Sequence, residues 1–278
     1  MTIPRPRPRS RAHADADARE LKSTADPRRL SSVAAALRLL KEFSADEPEF
    51  GITALAKRMG LAKSTVHRLA KTLVSEGFLA QNQSDERYRL GLTLFALGTL
   101  VRLRMDVSRQ ALPHLDILRE QTNETVHLAV LEHSDIMYLY NLESAQAIRT
   151  RSYLGMRKPA FCTSEGRAIL AFSPQPLISR VLHGPLQART PKTTVAVPTL
   201  LKLLAMVRDK GYALDDEESE VGMRGISAPI RDASGQVVAA VGIAGPVQRL
   251  SKSSLRTFIP LAIQAAQNIS TRLGHSSP

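Results

Sequence analysis

The stretch Gly51–Leu79, "GITALAKRMGLAKSTVHRLAKTLVSEGFL", limits what this chain can fold into more than any other. Ile52, Leu55, Ala56 and Met59 recur at i, i+3, i+4 and i+7, the spacing of one helix face. Gly60 follows, suited to the left-handed conformation that closes a helix. A second helical run opens near Ala62 and ends before Gly77. Val66, Leu69, Ala70, Leu73 and Val74 form its apolar stripe, which requires a core behind it. Ser64, Arg68, Lys71 and Ser75 fall opposite, with Lys63, Thr65, His67 and Thr72 at the margins. No carboxylate interrupts this face before Glu76. A generic solvated face mixes Glu among Lys and Arg, whereas a face that meets phosphate excludes acids.

The flanks complete a motif. Upstream, Val33, Ala36, Leu37 and Leu40 are spaced as one helix face within Ser31–Phe43, and "SADEPEF" reads as a loop. Downstream, "FLAQ" and "RYRLG" bracket the polar "NQSDE", a hairpin with a flexible tip. Two helices joined by a glycine turn and followed by a basic hairpin predict a winged helix-turn-helix. Its third helix would enter the major groove, with N-terminal residues at base edges and later ones at phosphates. Ser64, Thr65 and Arg68 are the base-edge candidates; Lys63, His67 and Lys71 are the phosphate candidates. Arg87 and Arg89, on the return strand of the hairpin, are placed to clamp the backbone of double-stranded DNA.

Composition agrees without locating the site. The chain has 278 residues, room for about two domains, and a net charge of +12. Residues 1–100 hold 17 Lys/Arg against 11 Asp/Glu and the remainder holds 21 against 15, so the excess is not confined to one end. Such a balance favours polyanionic partners but says nothing of fold. Tryptophan is absent, which argues against an aromatic platform for single strands. With Cys162 as the only cysteine, no intrachain disulfide forms, and a reducing cytoplasm is expected. No apolar run approaches a membrane span. Residues 1–28, rich in Pro, Arg, Ala and Asp, read as a disordered basic arm.

Beyond Arg87–Gly91, helical runs are expected over about 92–104 and 107–121, a linker helix bending into a second domain. "VHLAVLEHSDIMYLYNLES" reads as two strands, and "AIRTRSYLG" as a further alternating strand. "SEGRAILAF" and "PTLLKLLAMVRDKG" read as helices, "GISAPIRDASGQVVAAVGIAGPV" as strand, turn and strand, and the end as a helix striped by Leu255, Phe258, Ile259, Ala262, Ala266 and Ile269. The mixture predicts an α+β domain. The contiguous acids of "LDDEESE" lack the spacing of a calcium loop and read as a solvated loop. Cys162 reads as a small buried hydrophobe, since no spacing sets His127, His133 or His183 against it. No metal, cofactor or catalytic residue is expected.

"SSVAAALRLLKEF", "ITALAKRMGLAKSTVHRLAKTLVSEGFL" and "RYRLGLTLFALG" resemble the N-terminal domain of the IclR family of bacterial transcription regulators. The resemblance continues through "GMRKPAFCTSEGRAILAF" and "GYALDDEESEVGMRGISAPIRDASGQVVAAVGIAGP", covering nearly the whole chain after the arm. It implies a winged helix-turn-helix over 29–92, then a linker helix and a GAF-like effector-binding domain over 93–278. It also implies a homodimer or dimer of dimers on a two-half-site operator, controlling catabolic genes in response to a small metabolite, an organic acid or an aromatic. The positions matching the family's effector pocket are Lys158, Ser164, Glu165, Asp215, Met223, Gly225, Gly242 and Ala244. Gly225 stands where cysteine is common, and Gly242 and Ala244 where serines hold a carboxylate effector. Loss of those donors predicts a smaller, less polar wall and a larger or more apolar effector. The competing reading is a small-molecule sensor or enzyme whose helical N-terminus docks another protein.

Overall fold

A computed structural model describes residues 32–150 and 152–276; the basic arm lies outside them. The described residues divide into two compact units, the first ending at Gly98 and the second beginning at Thr99.

In the first unit, helices α1 (Ser32–Leu40), α2 (Ile52–Met59) and α3 (Lys63–Ser75) surround one core. Strands β1 (Glu49–Phe50), β2 (Leu79–Gln81) and β3 (Tyr88–Leu90) form a small antiparallel sheet in the order β1-β3-β2. Gly60 caps α2 at φ 63°, so a left-handed residue makes the turn into α3, a conformation glycine adopts at no steric cost. The predicted stripe of α3 is buried: Val66, Leu69, Ala70 and Leu73 pack with Leu55, Met59, Leu79 and Tyr88. Two expectations shift. "SADEPEF" contains β1, whose Phe50 lies opposite Tyr88 on the return strand. In α1 the buried residues are Ala35 and Leu39, while Val33 and Leu37 are exposed. Its apolar residues cover more than one face, so periodicity does not choose which face meets the core.

In the second unit, a six-stranded antiparallel sheet runs β6-β5-β4-β9-β8-β7. Its strands are β4 (Thr125–Glu132), β5 (Asp135–Leu142), β6 (Arg157–Pro159), β7 (Ala213–Asp216), β8 (Met223–Arg231) and β9 (Val237–Pro246). One face packs on α5 (Asp106–Thr122) and α9 (Lys252–Arg272) through Leu115, Leu118, Val126, Ile226, Val241, Ala262 and Ile269. The other packs on α6 (Ser164–Leu170), α7 (Gln175–Leu182) and α8 (Val197–Lys210) through Ala129, Ile136, Ala168, Leu170, Leu200 and Ala240. Alternation along each strand sends successive side chains to these two cores. The preceding helix α4 (Leu92–Arg104) holds the division between units, which falls between Gly98 and Thr99.

The expected strand in "AIRTRSYLG" does not form: the described residues of 147–155 lie in loop, bend and turn. Thr150 and Ser152 there are held by side-chain hydrogen bonds rather than by a ladder. The acidic run is not a solvated loop either. Asp215 is buried on β7, and Glu218 forms a bidentate pair with Arg167 at 2.6 and 2.7 Å. Arg167, buried within α6, also donates to the carbonyls of Phe161 and Leu214. This pair ties α6 to the acidic segment, the two walls of the cavity described below. Removing one member leaves the other charge uncompensated. Arg167→Ala is expected to destabilise the second unit by about 3–5 kcal/mol, read as a lower urea midpoint at an unchanged slope.

Candidate functional site

The first unit presents a cationic helix face. Lys63, Ser64, His67, Arg68 and Lys71 of α3 are exposed and Thr65 is half-buried. Among the described residues no carboxylate pairs with Lys63, Arg68 or Lys71. The side chains that do fold back on α3 are Thr72, whose hydroxyl donates to the Arg68 carbonyl, and Ser75, which donates to that of Thr72. Ala62 precedes the helix in extended conformation and no side chain caps it, so the first-turn N–H groups keep their donor capacity for an anion. Arg89 is exposed on β3, opposite Ala80. Arg87 directly precedes the strand and lies 3.8 Å from Asp85. The hairpin tip is built by local bonds, Ser84 N to Asn82 Oδ1 and Arg87 N to Asp85 Oδ1.

The second unit encloses a polar cavity with room for about one water, ≈ 20 Å³. Lys158, Ser164, Glu165, Asp215, Met223, Gly225 and Ala244 line it, so positions far apart in sequence converge. The strand registers explain why. Gly225 pairs with Asp215 on one side and Ala244 on the other, and Gly242 lies between Ser227 and His127. Gly242 is not in the lining. A Cβ there would come within 2.4 Å of Ser227 Oγ and 2.7 Å of Glu165 Oε1, and one on Gly225 within 2.7 Å of Ser164 Oγ. The room left by these glycines is filled by the chain's own polar side chains. The expected smaller, less polar wall is therefore corrected: the wall carries hydroxyls and a carboxylate.

Glu165 is the centre of that wall. Its Oε1 lies 3.2 Å from His127 Nδ1, and its Oε2 accepts from Ser164 Oγ. Ser164 Oγ lies 2.8 Å from Ser227 Oγ. His127 Nε2 contacts Ser152 Oγ at 2.8 Å, and Ser152 in turn donates to Asn141 and meets Thr150. Burial pushes the Glu165 carboxyl up, but the hydrogen bond and charge of His127, its own backbone and the Lys158 charge bring it below its ordinary value. Asp215 behaves oppositely. Burial pushes it up to about 6, although Ser219 and the N–H groups of Glu218 and Ser219 donate to it. Lys158 bridges to Glu220 at 3.3 Å, with the lysine end 16% exposed. Burial, then the charges of Glu165, Asp215 and Glu220, hold the Tyr138 phenol well above 10.0, so it stays protonated.

Sequence reasoning did not single out His127 or Tyr138. A histidine set between the apolar Val126 and Leu128 of β4 needs partners once buried, and that was the available signal. His133 and His183 are exposed. Cys162 is buried, its thiol pushed up to about 12 mainly by burial, which suits a packing role. Among the described residues no group of His, Cys, Asp and Glu is arranged to hold a metal ion, and no helix is long and apolar enough to cross a membrane.

A helix-turn-helix with a cationic outer face, together with a separate domain closing on a polar cavity, defines a ligand-responsive DNA-binding regulator. The comparisons with known proteins specify it. Residues 32–83 match the model of the IclR helix-turn-helix domain, and 100–271 that of the bacterial transcriptional regulator IclR C-terminal domain. The chain is 34% identical over 250 residues to the HTH-type transcriptional regulator KdgR of Escherichia coli (strain K12), covering 90% of this chain and 95% of that one. It is 33% identical over 247 residues to XynR of the same organism, covering 88% and 98%. Among solved structures, it is similar to an IclR homolog from Microbacterium hydrocarbonoxydans complexed with 4-hydroxybenzoate. There the TM-score is 0.79 at 29% identity, covering 88% of this chain and 100% of that one. The chain belongs to the IclR family of bacterial transcriptional regulators, and it is a DNA-binding regulator, not an enzyme.

Two outcomes follow from the cavity. Gly242→Ala is expected to destabilise the protein by about 1–3 kcal/mol through overpacking. Adding Glu165→Ala should recover part of that loss, a non-additivity measurable in a double-mutant cycle of denaturation midpoints. Asp215, higher in the folded state than its ordinary 3.8, binds protons there that the unfolded chain releases. Its contribution to stability is fully present below 3.8 and falls as pH rises to about 6. Asp215→Asn should therefore gain about 2–3 kcal/mol relative to the parent between pH 4 and pH 7, checked by urea denaturation at both values.

Proposed function

We propose that α3 reads an operator from the major groove while the cavity of the second unit senses a small-molecule effector. The observation that carries this is the acid-free outer face of α3. Its cations point away from the core and keep no carboxylate partners among the described residues. Ser64, Thr65 and Arg68, on the first turns, are assigned to base edges; Lys63, His67, Lys71, Arg87 and Arg89 to phosphates. Lys158, Ser164, Glu165, Asp215, Met223, Gly225, Gly242 and Ala244 are assigned to the effector site, with His127 and Tyr138 added. The boundary is assigned as 29–92 for the reading domain and 93–278 for the linker helix and sensing domain, with the work done in the cytoplasm.

One winged helix makes few base contacts, so two copies on a pseudo-palindromic operator multiply specificity. Val33, Leu37, Leu90, Leu92, Phe95 and Leu97 of the first unit are exposed, Leu92 and Phe95 at 85% and 74%. So much apolar surface suits a second copy of the chain, and a homodimer or dimer of dimers is the assembly we infer. An effector shifts DNA affinity only by binding one arrangement of the assembly better than another.

In anisotropy titrations on duplex flanking the coding region, Arg68→Ala is expected to lose about 1–3 kcal/mol of preference for the specific site. Lys71→Ala should weaken specific and random duplexes alike and lower the slope of log affinity against log salt by about one. Equal binding of specific and random duplex by the parent protein at physiological salt would overturn the assignment. Phe95→Glu should shift the protein to a monomer in light scattering; an unchanged mass would remove this helix from the interface.

A further inference from the structure

We propose that the effector cavity takes an uncharged, hydroxyl-rich small molecule, a sugar or polyol, in preference to a carboxylate. The inference rests on the cavity being the effector site and concerns what that site recognises.

The argument is one of donors, acceptors and sign. Three carboxylates line the cavity, Glu165, Asp215 and Glu220, and its two permanent cations are already engaged, Lys158 with Glu220 and Arg224 with Asp216. A ligand carboxylate brings only acceptors and adds a like charge beside three carboxylates in a low-dielectric enclosure. Glu165 sits over Gly242, a position with no side chain to donate to a ligand. A ligand ammonium would compete with Lys158 for Glu220 and would offer no acceptor to Tyr138. An apolar ring would leave polar atoms desolvated without partners.

A hydroxyl both donates and accepts. Each Glu165 oxygen holds one in-chain side-chain donor, from His127 and Ser164, and retains lone-pair capacity for another. Tyr138, 3% exposed as a residue, lines the cavity, and its hydroxyl makes no hydrogen bond among the described residues. A hydroxyl that opens on the cavity and is not held by an in-chain partner is free to bond a ligand atom. The cavity as it stands holds little more than a water. Its movable rim is the Lys158–Glu220 bridge, with Glu220 at 42% exposed, so entry opens this bridge and leaves the Glu165–His127 floor in place.

The test uses the full chain and matched probes. Glucose, galactose, ribose, arabinose and glycerol, with the corresponding alditols, are compared with the aldonic acids and 2-amino sugars of the same skeletons. Thermal shift ranks them and calorimetry measures affinity, with DNA anisotropy on the same preparation. The expected result is saturable binding of at least one neutral member, its acid counterpart at least about tenfold weaker. Glu165→Gln should weaken the neutral ligand about tenfold or more, the loss of a charged hydrogen bond, and shrink the discrimination against the acid. Tyr138→Phe, which removes only the hydroxyl, should weaken it about three- to tenfold. Circular dichroism confirms that each variant folds. Tighter binding of an acid or an amine than of its neutral parent, or no binding by any neutral member, would overturn the proposal. Loss of site-specific DNA binding by the parent would instead sink the regulatory reading. The two failures are therefore distinct.

Discussion

A carboxylate inside an apolar sandwich must be compensated or it will not ionise. Glu165 is compensated from two elements at once: His127 from the sheet and Ser164 from its own helix. That pairing needs α6 close to the strands, and the closeness needs residues without side chains beneath it. Gly225 and Gly242 supply the gap. The Arg167–Glu218 pair then fixes the same helix to the acidic segment that carries Asp215. The polar cavity is thus built by the contacts that hold the second unit together, so its chemistry and its stability share residues.

The two units solve opposite electrostatic problems. On α3 the cations are left in water, where their charge costs little and remains available to phosphate. In the second unit the charges of Glu165, Arg167 and Glu218 are taken out of water and matched by partners. A ligand that changes the cavity must work against satisfied hydrogen bonds, so its effect depends on supplying equal or better ones.

The first unit was legible in detail because its signals are local. Val66, Leu69, Ala70 and Leu73 are buried as their spacing requires, and Lys63, Ser64, Arg68 and Lys71 are exposed. A glycine after Met59 ends α2 where the motif needs a turn. What was not legible depends on neighbours distant in sequence. Val33 and Leu37 are apolar and helical, yet lie outside the core. The stretch from Ala147 to Gly155 alternates like a strand, but its Ser152 finds a better partner in His127 than in a ladder. "LDDEESE" has the composition of a solvated loop, but Arg167, buried on another element, draws Glu218 inward.

The sequence by itself determined the periodic elements, the helix-turn-helix and its cationic face, since residues three and four apart meet whatever the rest of the chain does. Through the IclR resemblance it also indicated which positions would gather around an effector. Only the tertiary structure decided what that gathering means. Gly242 reads in sequence as a lost side chain, but in space it is the room that Glu165 and Ser227 occupy. His127, silent as a lone histidine, becomes the partner of a carboxylate 38 residues away. Sequence records which groups a chain possesses. Whether two of them pair depends on a separation that only folding across the sheet sets.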